Sequence, residues 1–137
     1  MTRMTRYEQQ RFKNLSYLVR ANGREERTQP GEIDHLLQLT YDPDPQVRCE
    51  AARELCPCHV QANHQKVWDR LMVMAADPDV KVRKTVLHTL GDGSPREREA
   101  DVVTTLEAMY HDPDEKLRRQ VRKLLAQYRR SGKINVL

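Results

Sequence analysis

Aromatic residues are scarce in this chain: one Phe, one Trp and five Tyr make up 5% of its 137 residues. Only 38% of the residues are hydrophobic, 32% are charged, and there are five glycines. That composition excludes a thick core with two apolar faces. It suits a thin layered structure in which each element buries one stripe. Three cysteines, Cys49, Cys56 and Cys58, are an odd number, which excludes a complete disulfide framework and fits reduced thiols. No apolar run approaches the roughly 20 residues that cross a bilayer, so no membrane partner is expected. The opening Met1-Thr2-Arg3-Met4-Thr5-Arg6 has no apolar stretch of the signal-peptide kind, and a cytoplasmic protein is the expectation.

What is present is charge, unevenly spread. The net charge is +4, but residues 1–28 carry +4, residues 29–113 carry −6 and residues 114–137 carry +6. Basic ends around an acidic middle hint at anionic partners and say nothing about fold.

The architecture comes from an internal repeat. Asp42-Pro43-Asp44, Asp77-Pro78-Asp79 and Asp112-Pro113-Asp114 recur every 35 residues. The apolar columns Ile33/Trp68/Val103, Leu36/Leu71/Leu106 and Leu39/Met74/Met109 precede them without a gap. The columns Val47/Val82/Leu117, Ala51/Val86/Val121 and Leu55/Leu90/Leu125 follow in the same register. Spacings of three and four residues line one face of a helix. Proline disfavours helical geometry in the residue before it, and the second Asp is a natural N-cap. Each unit is therefore a helical hairpin, with first helices expected near 31–41, 64–76 and 99–111 and second helices near 45–56, 79–90 and 114–130. Residues 6–21 read as a further amphipathic helix that caps the stack. Gly91 is expected to end its helix in a left-handed conformation, and Ser94-Pro95 to cap the next.

The Asp-x5-Arg pattern between spaced apolar positions resembles the HEAT repeat, over about residues 30–130. The resemblance implies an all-α solenoid of about three helical hairpins plus an N-terminal capping helix. It divides a single domain of 1–137 into a cap (1–29), repeats at 30–64, 65–99 and 100–130, and a tail (131–137). It also implies that Asp42, Arg48, Asp77, Arg83, Asp112 and Arg118 form a hydrogen-bonded ladder between repeats. Repeats of this type are scaffolds for many partners, so architecture alone does not name one. The apolar tail Ile134-Asn135-Val136-Leu137 leaves two roles open, folding back onto the last repeat or entering a partner.

Second helices of such solenoids line the concave surface. Their outward columns are Gln46/Lys81/Lys116, Cys49/Lys84/Arg119, Glu50/Thr85/Gln120 and Arg53/His88/Lys123, with Glu50 the one acid. Lys81, Lys84, His88, Lys116, Arg119 and Lys123 are accordingly the expected binding residues. The lysines and arginines among them are expected to project without acidic partners inside the chain. The reading is a non-catalytic module whose partner is a protein with an acidic surface. The alternative is a nucleic-acid backbone, which a basic strip also attracts; the strip has no aromatics for base stacking. A likeness to the alkylpurine DNA glycosylases rests on the repeat alone, because Trp68 falls in a core column.

Two clusters hold residue types capable of chemistry. Cys56, Cys58, His59 and His64 are zinc-ligand types, but Cys-x-Cys is too tight and has no second knuckle, so packing is the reading and no metal or other cofactor is expected. Gly91-Asp92-Gly93-Ser94 lacks a preceding strand and the Walker pattern. His88 and Asp92 are helical neighbours, but a base without a nucleophile makes no enzyme.

Overall fold

The computed structural model of the chain describes residues 30–56 and 64–132. The expected capping helix at 6–21 and the tail from Lys133 to Leu137 lie outside these residues. Six α-helices are present among them, and no strand. Helices α1 (Pro30–Leu39) and α2 (Pro45–Glu54) form the first hairpin, α3 (Gln65–Met74) and α4 (Val80–Asp92) the second. After a short 3₁₀ turn at Arg96–Arg98 come α5 (Glu99–Ala108) and α6 (Glu115–Ser131). The fold is an all-α solenoid, with α4 packed between α2 and α6. First helices end two or three residues earlier than the apolar periodicity suggests. Their last residues form tight turns instead, in which the amides of Asp42, Asp77 and Asp112 bond to carbonyls three residues back.

The two aspartates of each Asp-Pro-Asp turn do different work. The second caps the following helix: Asp44 Oδ1 accepts from the Gln46 amide, Asp79 Oδ1 from Lys81 and Val82, and Asp114 Oδ2 from Leu117. Satisfying these orphan amides is what starts α2, α4 and α6. The first aspartate folds back over the proline, so Asp42, Asp77 and Asp112 accept from the amides of residues 44, 79 and 114 at 2.8–2.9 Å.

That leaves Asp77 and Asp112 with further lone pairs aimed at the preceding repeat. Arg48 spends Nη1 on its own turn, at 2.8 Å from the Asp42 carbonyl and 3.0 Å from that of Pro43. Its Nε and Nη2 fork onto the Asp77 carboxylate at 3.0 and 3.1 Å. Arg83 repeats this, with the carbonyls of Asp77 and Pro78 on one side and the Asp112 carboxylate at 2.9 and 3.2 Å on the other. The side chains are largely shielded, so the pairs escape most of the screening that weakens surface salt bridges. The hydrogen bond to Asp77 raises the Arg48 pKa, against the opposing effect of burial. Arg118 bonds the Asp112 carbonyl at 2.9 Å but reaches no carboxylate among the described residues.

The apolar columns meet in one core. Seventeen of the eighteen column residues are buried, Val103 being half-buried, and Trp68 is 2% exposed within them. Two local expectations need correction. Gly91 does not end its helix, which runs on to Asp92, and it has no positive φ. It is small because α6 passes close by: a β-carbon there would lie 3.1 Å from Leu124 Cδ1. Pro95, not Ser94, holds the N-cap position of the 3₁₀ turn, and the Ser94 hydroxyl is buried with no hydrogen-bond partner among the described residues. Gly132, by contrast, takes the left-handed conformation that ends α6.

The clasps predict unequal sensitivities. Asp112→Ala orphans the largely buried Arg83 and should cost about 2–3 kcal/mol. Arg118→Ala removes no bridge between described repeats and should cost less than about 1 kcal/mol. Urea unfolding of both variants measures the difference; equal losses would show that the bridging does not matter.

Candidate functional site

The exposed side of the second helices is where the candidate binding residues gather. Lys81, Lys116 and Lys123 are exposed and make no ion pair with any described residue, and His88 is exposed beside them. Between α4 and α6 lies a groove of about 390 Å³. Its floor is Leu87, Gly91 and Leu124, and its rim includes His88, Asp92, Gln120 and Lys123. The missing side chain at Gly91 deepens this groove. His88 and Lys123, 35 positions apart, thus face one space.

Two of the expected cations are not unpartnered. Lys84 Nζ lies 3.6 Å from Asp114 Oδ2, and Arg119 Nη2 lies 2.6 Å from Glu115 Oε1. Neither acid belongs to the four outward columns. Asp114 is the N-cap of the next repeat's second helix, and Glu115 is one helical turn before Arg119. Cys49, assigned to the same column, is buried: its Sγ is 3.0 Å from Thr85 Oγ1 and 3.7 Å from the Lys81 carbonyl. The physical reason is shared. This column faces the following repeat, so its side chain is covered at 49, partly covered at 84 and open only at 119, in the last hairpin.

The cysteine–histidine cluster does not assemble among the described residues. Cys56 is buried, and its thiol donates to Asp92 Oδ2 at 3.5 Å. His64 occupies the N-cap position of α3, with Nδ1 buried and without a hydrogen bond to any described residue. Cys58 and His59 lie outside the described residues. No group of three metal-ligand side chains occurs among those described.

Two arginines outside the four columns make specific contacts on the first-helix side. Arg70 lies 3.7 Å over the Tyr41 ring and donates to the Thr40 hydroxyl and carbonyl, both at 2.9 Å. Arg122 lies 4.3 Å over the Tyr110 ring and donates to the Tyr110 carbonyl at 3.2 Å. The signal available in sequence was the repeat itself, since Thr40, Ala75 and Tyr110 share one register.

The pairing of Lys84 with Asp114 has a pH consequence. The backbone hydrogen bond from Leu117 is the main cause that lowers the Asp114 pKa, with Lys84 adding to it against the cost of burial. A carboxylate depressed in the folded state contributes stability above its unfolded pKa and loses it as pH falls through the folded value. Asp114 should therefore titrate below an ordinary aspartate by NMR. Lys84→Ala should raise that midpoint only partly, because the cap hydrogen bond remains; a full return to the ordinary value would show that Lys84 is the main cause.

No helix of the described residues is long and apolar enough to cross a membrane. Comparison with curated proteins and with solved structures gave no match. A family model, HEAT repeats, matches residues 33–129. HEAT repeats generally mediate protein–protein interaction and are typically non-catalytic scaffolds. With that match covering most of its length and three hairpins stacked in one register, the chain belongs to the HEAT-repeat family.

Proposed function

We propose that this chain is a non-catalytic binding module that engages an acidic segment of a protein partner along its second helices. The observation that carries this reading is the set of cations without an ion pair among the described residues, Lys81, Lys116 and Lys123, beside His88 on the adjacent helices α4 and α6. Charges without an internal partner keep their full attraction for a ligand. Lys84 and Arg119 are already neutralised by Asp114 and Glu115 and contribute less. The groove between α4 and α6 adds an apolar floor under polar walls, which suits a side chain of a peptide.

A phosphate backbone would be drawn by the same charges. The absence of aromatic residues among the outward columns favours protein, because strand binding draws on base stacking as well as charge.

Replacing Lys81, Lys116 and Lys123 by Glu should leave the melting temperature nearly unchanged, since exposed charges contribute under about 1 kcal/mol each. The same triple variant should bind a labelled poly-glutamate peptide much more weakly in fluorescence anisotropy, chiefly through a slower association rate. A duplex DNA of matched charge is the comparison ligand. Tight, steeply salt-dependent DNA binding with no peptide binding would replace this reading with nucleic-acid recognition. Unaltered peptide binding by the variant would place the functional face elsewhere.

A further inference from the structure

The three repeats superimpose in sequence, so each junction reports what the others lack. At the end of the first helix, one carbonyl position recurs at Thr40, Ala75 and Tyr110. In the first repeat that carbonyl accepts from Arg70, whose guanidinium rests on the Tyr41 ring. In the third it accepts from Arg122, whose guanidinium rests on the Tyr110 ring. Two different donors, reaching from different helices, have converged on the same arrangement. A carbonyl at a helix C-terminus carries partial negative charge, and a planar cation lying on an aromatic face satisfies it.

The middle repeat has neither partner. The Ala75 carbonyl receives no hydrogen bond from any described residue. The positions that supply the plug at the first junction, Arg70 and Tyr41, become Thr105 and Ala76 at the second, and the exposed Val73 becomes Ala108. A cleft of about 570 Å³ opens there, between the ends of α3 and α5. Met72 and Met109 give it a soft apolar wall, and the carboxylates of Asp77 and Asp112 stand at its back with the guanidinium of Arg83. Four of the five N–H groups of that guanidinium are engaged by Asp112 and by the carbonyls of Asp77 and Pro78. Its counterpart Arg48 has the same clasp at the first junction, where Arg70 is nonetheless accommodated.

We infer that this cleft is a docking site for an arginine side chain of a partner protein. The incoming guanidinium takes the place that Arg70 holds at the first junction, donating to the Ala75 carbonyl. Its methylene stem lies along Met72 and Met109, the wall that substitutes for the missing ring. Asp77 and Asp112 are each forked by an arginine, Arg48 and Arg83, so the pull on a cation comes from the carbonyl end of the helix. The site lies on the first-helix side and is independent of the basic face proposed above.

The test is an NMR titration of the full chain with the peptide acetyl-Gly-Arg-Gly-amide, with the lysine and citrulline peptides as controls. Saturable shifts are expected at the amides of Ala75–Asp77 and Thr104–Ala108, larger for arginine than for lysine and absent for citrulline. The double variant Ala76→Tyr, Thr105→Arg grafts the plug of the first junction onto the second. It should melt at a higher temperature and lose the peptide shifts. Peptide shifts that persist in this variant, or shifts in the wild type that avoid the cleft, would falsify the assignment. Cleft shifts that depend on protein concentration and not on peptide would identify a second copy as the occupant, and the proposal fails. Should the double variant not fold, the wild-type titration decides by itself.

Discussion

The clasp of Arg48 and of Arg83 around two turns is the interaction on which the stack depends. Arg48 and Arg83 each hold their own Asp-Pro-Asp turn through carbonyls and the next one through its carboxylate. A single side chain thus fixes the shape of one turn and the distance to its neighbour. The apolar columns provide most of the driving force for burial, but burial is not directional. The fork of a guanidinium on a carboxylate is, and it sets the register in which the columns meet. Since each hairpin touches only its neighbours, this register is set locally and then propagates.

The same constraint explains how the surface is divided. Every side chain that follows the clasp arginine points at the next repeat, and is spent on packing or pairing wherever a next repeat exists. Cys49 packs, Lys84 pairs with Asp114, and Arg119 in the last described hairpin is exposed and pairs only along its own helix, with Glu115. Free positive charge is left to the columns of Lys81 and Lys123. On the opposite side, arginines reach back to satisfy helix-end carbonyls, and the middle repeat is the exception. A repeat protein acquires distinct sites by departing from its own pattern, and here the departures are deletions of bulk, at Gly91 on one side and at Ala76, Thr105 and Ala108 on the other.

The sequence by itself determined the hairpin, its period and its core. A 35-residue recurrence with six apolar columns in register leaves little freedom, because each amphipathic helix must bury its stripe against a neighbour. The capping roles of Asp44, Asp79 and Asp114 are equally local, as they depend on three or four consecutive residues. What only the tertiary structure decided is which charges are free. Lys84 looks exposed along its own helix, yet its partner Asp114 comes from 30 residues away across a junction. Gly91 looks like a helix terminator, yet it is small because Leu124 needs the space. Periodicity records which face of a helix is apolar; it does not record what the neighbouring hairpin brings alongside. Pairing across junctions, and the clefts left where pairing fails, arise from distances between elements that no single helix encodes.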